Sequence, residues 1–180
     1  MPRRALLSQQ ERDALLAMPK TEEEWIRHYT LTEADRAVIA QHRGGHNRLG
    51  FAVQLCLLRY PGFVLQREQA PPYRLLHFIA DQLDLDPDLW SEYARRSQTR
   101  REHLVELQAW FGLRKFGAEE VEQLVTFLAD LAERTYRGLD LATAMVEYLR
   151  DQRVVQPSPD VVDRVCSQAL TAGMRRVYES

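Results

Sequence analysis

The spacing of apolar residues predicts helices along the whole chain, and no segment shows the sustained apolar–polar alternation of a β-strand. Capping residues, glycines and prolines divide this pattern into about ten helices, so the predicted fold class is all-α. The predicted helices cover 8–17, a helix capped by Thr21, a helix capped by Thr32, 48–60, 73–83, a helix capped by Asp86, a helix from Thr99 to Gly112, 118–134, 139–153 and 161–178.

For three of these helices we predict a capping box, in which a Ser or Thr is followed three positions later by an acidic residue. The pairs are Ser8–Glu11, Thr32–Asp35 and Thr99–Glu102. Asn47 is predicted to cap the helix over 48–60. Asp35 is also expected to stay exposed to water.

The helix over 48–60 is the most apolar part of the chain. From Phe51 to Leu58 apolar residues occupy almost every position around its circumference, which predicts a helix buried in the core. It follows Gly44-Gly45, so the order helix, glycine turn, helix is similar to a helix-turn-helix motif. The second helix is too apolar to read bases in a major groove. We therefore expect this turn to contact the phosphate backbone of DNA instead.

The chain has 180 residues, enough for one large domain or two small ones. Prolines at 71–72 and on both sides of Ser158 interrupt the helical pattern. We therefore expect a helical subdomain over 1–70, a second helical subdomain over 71–156, and a linker with the start of a following helical region over 157–180.

The two cysteines, Cys56 and Cys166, lie in apolar helical patterns, which indicates buried and reduced thiols. No apolar stretch is long enough to span a bilayer, and the N-terminus lacks the apolar region of a signal peptide. We therefore expect a cytoplasmic protein with no membrane partner.

The net charge of −2 conceals an uneven distribution, and 22 of the 24 basic residues are arginine. Residues 27–67 hold six arginines against two acids, and residues 95–116 hold six basic residues against two acids. Residues 117–180 hold seven basic and eleven acidic residues. A polarised surface of this kind suits a nucleic-acid binder, although solvated arginines scattered over the surface would give the same counts.

Motifs of common catalytic and cofactor sites are absent from the sequence. There is no phosphate-binding glycine loop, no GxSxG, no HExxH and no CxxC. His42 and His46 are separated by the two glycines, which argues against a shared metal ion. The sequence therefore predicts no catalytic site, no metal and no cofactor.

Two clusters remain that suit anion binding. The first surrounds the glycine turn, where phosphate contacts are expected from Arg43, His46 and Arg48, with Asn47 at the start of the next helix. The alternative is an ordinary corner between two helices. Arg114 and Lys115 form a further basic turn, for which we also expect phosphate contacts.

The second cluster lies at the start of the helix that ends at Gly112. Its N-terminal part is polar and its C-terminal part is apolar, the division that a DNA recognition helix needs. Arginine can read guanine edges and glutamine adenine edges. The alternative is a solvated, arginine-rich helix start. The residues of this cluster that we expect to contact DNA are Arg96, Gln98, Thr99, Arg100, Arg101 and His103.

Four segments in collinear order, from about Leu6 to Ala172, resemble the N-terminal region of the Tn-three family of replicative bacterial transposases. They are LTEADRAVIAQHR, HNRLGFAVQLCLLRYPG, TRREHLVELQAWFGLRKF and EYLRDQRVVQPSPDVVDRV. The positions that match the family's motifs are Asn47, Arg48, Gly50, Arg59, Arg96, Thr99, Arg100, His103 and Gly112.

The resemblance implies an all-helical region that binds the terminal inverted repeats of a transposon as double-stranded DNA. It also implies that the RNase-H-like catalytic domain lies far downstream, so this chain should not cut or join DNA. It further implies a bacterial protein that is nucleoid-associated when bound to DNA, with self-association in the full-length protein. The alternative function is a helical module for protein interaction or dimerisation within the same transposase.

Overall fold

The computed structural model describes residues 5–15, 18–66 and 69–179. Within these ranges the chain forms ten α-helices, one short 3-10 turn and no β-strand, so the predicted all-α class is confirmed. The helices are α1 (Gln9–Leu15), α2 (Glu22–Tyr29), α3 (Glu33–Ala40), α4 (Gly45–Arg59), α5 (Tyr73–Gln82), α6 (Trp90–Ala94), α7 (Ser97–Phe111), α8 (Ala118–Ala132), α9 (Gly138–Asp151) and α10 (Pro159–Glu179), with the 3-10 turn at Pro87–Leu89.

The described residues of Met18–Gly112 form one compact unit, and those of Met1–Ala17 and Leu113–Ser180 form the other. This grouping differs from the three consecutive segments suggested by the prolines. The N-terminal segment packs with the C-terminal helices because the buried Asp163 side chain accepts hydrogen bonds from the backbone N–H of Leu6 (3.2 Å) and Leu7 (2.8 Å).

Helix α4 is the centre of the unit Met18–Gly112, as its apolar pattern predicted. Every residue from Leu49 to Leu58 is buried. Helices α3, α5, α6 and α7 pack around it. The closest approach is at Gly50, where an added Cβ would lie 2.1 Å from the ring of Tyr93 in α6. Burial of so much apolar surface is the main source of stability in this unit.

The other unit is built on the packing of α8, α9 and α10. Its core includes Leu7 from the N-terminal segment and Val154 from the short link after α9. Gly173 lets α10 lie close to α8, because a Cβ there would be 2.9 Å from the carbonyl oxygen of Ala129. Arg114, in the link that precedes α8, forms an isolated bridge with Val154, in the link that follows α9.

Three of the predicted helix caps are confirmed by their hydrogen bonds. The Ser8–Glu11 and Thr32–Asp35 pairs form both bonds of a capping box, and Thr21 caps α2. Part of the predicted first helix, residues 16 and 17, lies outside the described residues. The two buried cysteines are confirmed, and burial raises the pKa of each thiol to about 12.

Two predicted helix caps are wrong. Helix α4 begins at Gly45, so Asn47 lies inside its first turn and does not cap it. Gly44 takes the capping position with φ of 87°, a left-handed conformation that glycine adopts without strain. Helix α7 begins at Ser97, which leaves Thr99 inside the helix and unable to form the predicted capping box with Glu102.

The expectation that Asp35 stays exposed is also wrong. Asp35 is buried, and the guanidinium of Arg59 in α4 binds both of its carboxylate oxygens. Burial alone would raise the pKa of Asp35, but the hydrogen bonds from Arg59 and Thr32 outweigh it and lower that pKa. Asp35 therefore caps α3 and also joins α3 to α4.

Candidate nucleic-acid interface

The two basic clusters of the unit Met18–Gly112 meet at Glu92 in α6. His46, in the first turn of α4, has its Nδ1 atom 3.8 Å from Oε2 of Glu92. Arg96, just before α7, has a terminal guanidinium nitrogen 3.3 Å from Oε1 of the same carboxylate. The starts of α4 and α7, about 50 residues apart in the chain, are therefore close neighbours in this unit.

Backbone hydrogen bonds fix the first cluster around the glycine turn. The Asn47 side-chain amide donates to the carbonyl of Arg43 (2.9 Å), and Nε of Arg48 donates to the carbonyl of His42 (2.8 Å). Arg43 and Arg48 are exposed, whereas His46 and Asn47 are partly buried. No side chain caps the N–H groups at the start of α4. Exposed guanidinium groups and uncapped N–H groups together favour an anion.

The second cluster contains arginines with two different roles. Arg100 is partly buried, and its guanidinium donates to the carbonyls of Ala94 (3.3 Å), Leu65 (3.3 Å) and Gln66 (3.4 Å). It therefore ties the start of α7 to the loop after α4. Arg96 and Arg101 are exposed and suited to contacts outside the protein.

The two polar neighbours of these arginines differ in exposure. Gln98 is exposed, and its amide donates to Glu102 one turn further along α7 (3.2 Å). Thr99 is only partly exposed. Gln98 could therefore exchange its bond to Glu102 for a partner outside the protein more readily than Thr99 could turn outward.

His103, which the sequence suggested as a DNA contact, lies in the core with only 6% of its surface exposed. Its Nδ1 atom is 2.9 Å from the hydroxyl oxygen of Tyr93, and its ring lies at right angles to that of Phe51. Burial, together with the nearby His42, lowers the pKa of His103 to about 4. The ring is therefore neutral near pH 7 and part of the packing between α6 and α7.

Sequence reasoning missed a buried polar network that holds α7 in place. The Gln54 amide nitrogen of α4 donates to the Tyr93 hydroxyl (2.5 Å) and to the carbonyl of Arg100 (3.2 Å). Burial raises the pKa of Tyr93, which stays a neutral hydroxyl. One signal could have found this network, because Gln54 interrupts an otherwise apolar run of the core helix.

Arg114 and Lys115 belong to the other unit, Met1–Ala17 with Leu113–Ser180. Arg114 donates to the carbonyl of Gln152 (3.2 Å) and lies 3.8 Å from the carboxylate of Glu120. Lys115 is exposed. Arg114 is also exposed, and its side chain is partly engaged in these two contacts.

Neither metal-binding clusters nor membrane-spanning helices are found in the described ranges. No three His, Cys, Asp or Glu side chains within residues 5–15, 18–66 and 69–179 are placed to hold a metal ion together. Among the helices of the same ranges, none is long and apolar enough to cross a membrane.

Residues 6–169 match the family described as "Domain of unknown function (DUF4158)", and the chain belongs to this family. Its curated relatives are transposases of the Tn3 family, whose N-terminal part it matches. It is 49% identical over 178 residues to the transposase for transposon Tn3926 of Escherichia coli, which covers 99% of the chain. Identity is 46% to the transposase for Tn21 of Escherichia coli and 45% to that for Tn501 of Pseudomonas aeruginosa, each over the whole chain. The chain spans 18% of the length of these relatives.

Proposed function

We propose that this chain is the non-catalytic DNA-binding module of a replicative transposase and recognises the terminal inverted repeats of its transposon. The observation that carries the proposal is the convergence of two basic clusters beside Glu92. The transposase relatives support it, because a transposase must find the ends of its element. We expect the full-length protein in the cytoplasm. There this module would bind the transposon end for a catalytic domain in another part of the full-length protein, which we expect to self-associate.

The exposed residues suggest how the roles are divided. Arg43, Arg48 and Arg96 bind phosphates, which fixes the position of the module on the duplex. Gln98 and Arg101, on the first turns of α7, read base edges, since glutamine pairs with adenine and arginine with guanine. Arg114 and Lys115 add phosphate contacts from the other unit. Asn47, Thr99, Arg100 and His103 act indirectly by holding the backbone and the helix that carry these side chains.

The direct test removes exposed cations without disturbing the fold. The double variant Arg96→Ala/Arg101→Ala should lose at least tenfold in affinity for a terminal-repeat duplex, because a phosphate contact and a base contact disappear together. The matched control Arg27→Ala/Arg36→Ala removes the same charge from exposed positions of α2 and α3, outside both clusters. Equal losses in the two double variants would mean that only net charge matters, which contradicts the proposal.

A second candidate is a helical protein-interaction or dimerisation module, and exposed apolar side chains on α7 favour it. Val105 is 55% exposed and Trp110 is 40% exposed. Substitution Val105→Asp with Trp110→Ser should abolish self-association, measured by sedimentation, if this face docks a partner. The same change should leave DNA affinity within about twofold if α7 binds DNA through its first turns, since both residues lie further along the helix.

A further inference from the structure

A cavity of about 320 Å³ lies between the start of α7 and the loop that follows α4. Val64, Leu65 and Leu104 supply apolar walls. Gln54, Ser97 and Arg101 supply polar groups. Its volume is at the lower end of the range for small-molecule sites, which suits a ligand of one or two rings.

The polar groups of the cavity have defined hydrogen-bonding capacity. The side-chain nitrogen of Gln54 already donates to the Tyr93 hydroxyl and to the Arg100 carbonyl, so both of its hydrogens are committed. Its Oε1 atom can accept a hydrogen bond. The guanidinium of Arg101 is exposed beside the cavity and can bind an anion.

Apolar walls, a buried acceptor and an adjacent cation match the parts of one nucleotide. A base can lie with its faces against Leu65 and Leu104, donate from an amino group to Gln54, and place its phosphate on Arg101. The described lining contains no acidic side chain that would repel the phosphate. Arg101 also belongs to the basic cluster assigned above to DNA, so bound DNA would bring bases to this place.

We propose that the cavity holds one unstacked nucleobase of the bound DNA, with a flanking phosphate on Arg101 in place of the base edge assigned to it above. This inference rests on the proposed DNA-binding function and goes beyond it. Besides the groove and backbone contacts proposed above, the module would have a site for a base that lies outside the double helix. A base can enter the cavity only if it loses its stacking and its base pair. The affinity should therefore depend on how easily the base pairs at that position of the duplex open.

The experiment compares terminal-repeat duplexes that differ by one unpaired adenine, placed at successive positions, with the fully paired duplex. A base that is already unpaired avoids the cost of opening. At the position that reaches the cavity, we expect about tenfold tighter binding than to the paired duplex. An abasic site there should bring no gain, because it has no base to enter the cavity.

A cavity-filling variant and a matched neighbour locate the effect. Leu104→Trp should abolish the preference for the unpaired adenine, so that this duplex and the paired duplex bind with equal affinity. Val105→Trp adds the same side chain one residue further along α7, at an exposed position outside the cavity, and should keep the preference. Val64→Phe fills the cavity from the loop side and should reproduce Leu104→Trp if that variant does not fold.

The outcomes separate this inference from the function on which it rests. If the paired duplex binds but no unpaired base improves binding more than twofold, the cavity inference is overturned and the DNA-binding function stands. If no duplex binds, both fail. A third arm uses deoxyadenosine monophosphate alone. Binding of this nucleotide that Leu104→Trp removes, without any preference among duplexes, would assign the cavity to free nucleotides and would also overturn the inference.

Discussion

The hydroxyl group of Tyr93 lies 2.9 Å from Nδ1 of His103 and joins α6 to α7 inside the unit Met18–Gly112. Because the Gln54 amide donates to the same hydroxyl oxygen, the hydroxyl hydrogen is directed at His103. The Nδ1 atom therefore accepts, and the neutral ring carries its hydrogen on Nε2. The network fixes the start of α7, where Arg96, Gln98 and Arg101 are exposed.

The first prediction concerns the pH dependence of stability. The pKa of His103 is lowered from 6.5 to about 4 in the folded protein, so the unfolded chain binds more protons between these two values. The free energy of unfolding should therefore fall as the pH drops from about 6.5 to about 4, with His103 contributing on the order of 2–3 kcal/mol. Urea unfolding at a series of pH values measures this slope.

The variant His103→Gln cannot titrate but can still pair with Tyr93, so it should be nearly free of this contribution. His42, whose ring centroid is 4.5 Å from that of His103, and Glu106, 3.1 Å from His42 Nε2, remain in the variant and control for neighbouring charges. An unchanged slope in His103→Gln would contradict the assignment.

The second prediction concerns the ion pair between Asp35 and Arg59. Arg59→Ala should lower the free energy of unfolding by about 3 kcal/mol, because it leaves a buried carboxylate without its partner. Arg36→Ala removes an exposed arginine that bonds to the carbonyl of Gln82 and should cost less than about 1 kcal/mol. Chemical denaturation at pH 7 compares the two. If the two substitutions lower the free energy of unfolding equally, the buried ion pair stabilises the protein no more than an exposed hydrogen bond does.

The third prediction concerns the close approach of α4 and α6. Gly50→Ala should destabilise the unit Met18–Gly112 by about 2–3 kcal/mol, because the new methyl would overlap the ring of Tyr93. In a Tyr93→Leu background, the same substitution should cost much less, since the ring is gone. A double-mutant cycle measured by thermal unfolding tests this. Additive effects would show that the two residues are not in contact.

The fourth prediction separates the two adjacent arginines of α7. Arg100→Ala should lower the free energy of unfolding by about 1–2 kcal/mol, because three carbonyl groups lose their donor. Arg101→Ala should leave stability unchanged and weaken DNA binding by about 1–3 kcal/mol. Calorimetry and fluorescence anisotropy on both variants give the four values. If Arg101→Ala lowers stability as well as DNA affinity, the weaker binding could come from a damaged fold. That result would contradict the division of roles between the two arginines.

Local signals in the sequence were enough for most of the fold. The capping boxes at Ser8 and Thr32 and the apolar run after Gly50 predicted helices and a core helix that the structure contains. Such features depend on residues a few positions apart, so they can be read without knowing the tertiary structure. The predicted starts of α4 and α7 were wrong because Gly44 and Arg96 occupy the capping positions that were assigned to Asn47 and Thr99.

Features that depend on distant residues could not be predicted in this way. Asp35 was assigned to solvent because its partner Arg59 lies 24 residues away, and the packing of Leu7 with α10 joins the two ends of the chain. The site shows the same limit. The arginine clusters could be recognised in the sequence. Arg100, however, is held by hydrogen bonds to carbonyl groups of the loop that follows α4, whereas Arg101 is exposed, and this difference depends on the tertiary structure.

The titration of this chain against a terminal-repeat duplex and a scrambled duplex, over a range of salt concentrations, tests the central claim most directly. We expect the terminal repeat to bind at least a hundredfold more tightly than the scrambled duplex, and the logarithm of both binding constants to fall linearly with the logarithm of salt concentration. Equal affinity for the two duplexes would contradict specific recognition. A binding constant that does not change with salt would contradict phosphate contacts by the arginine clusters.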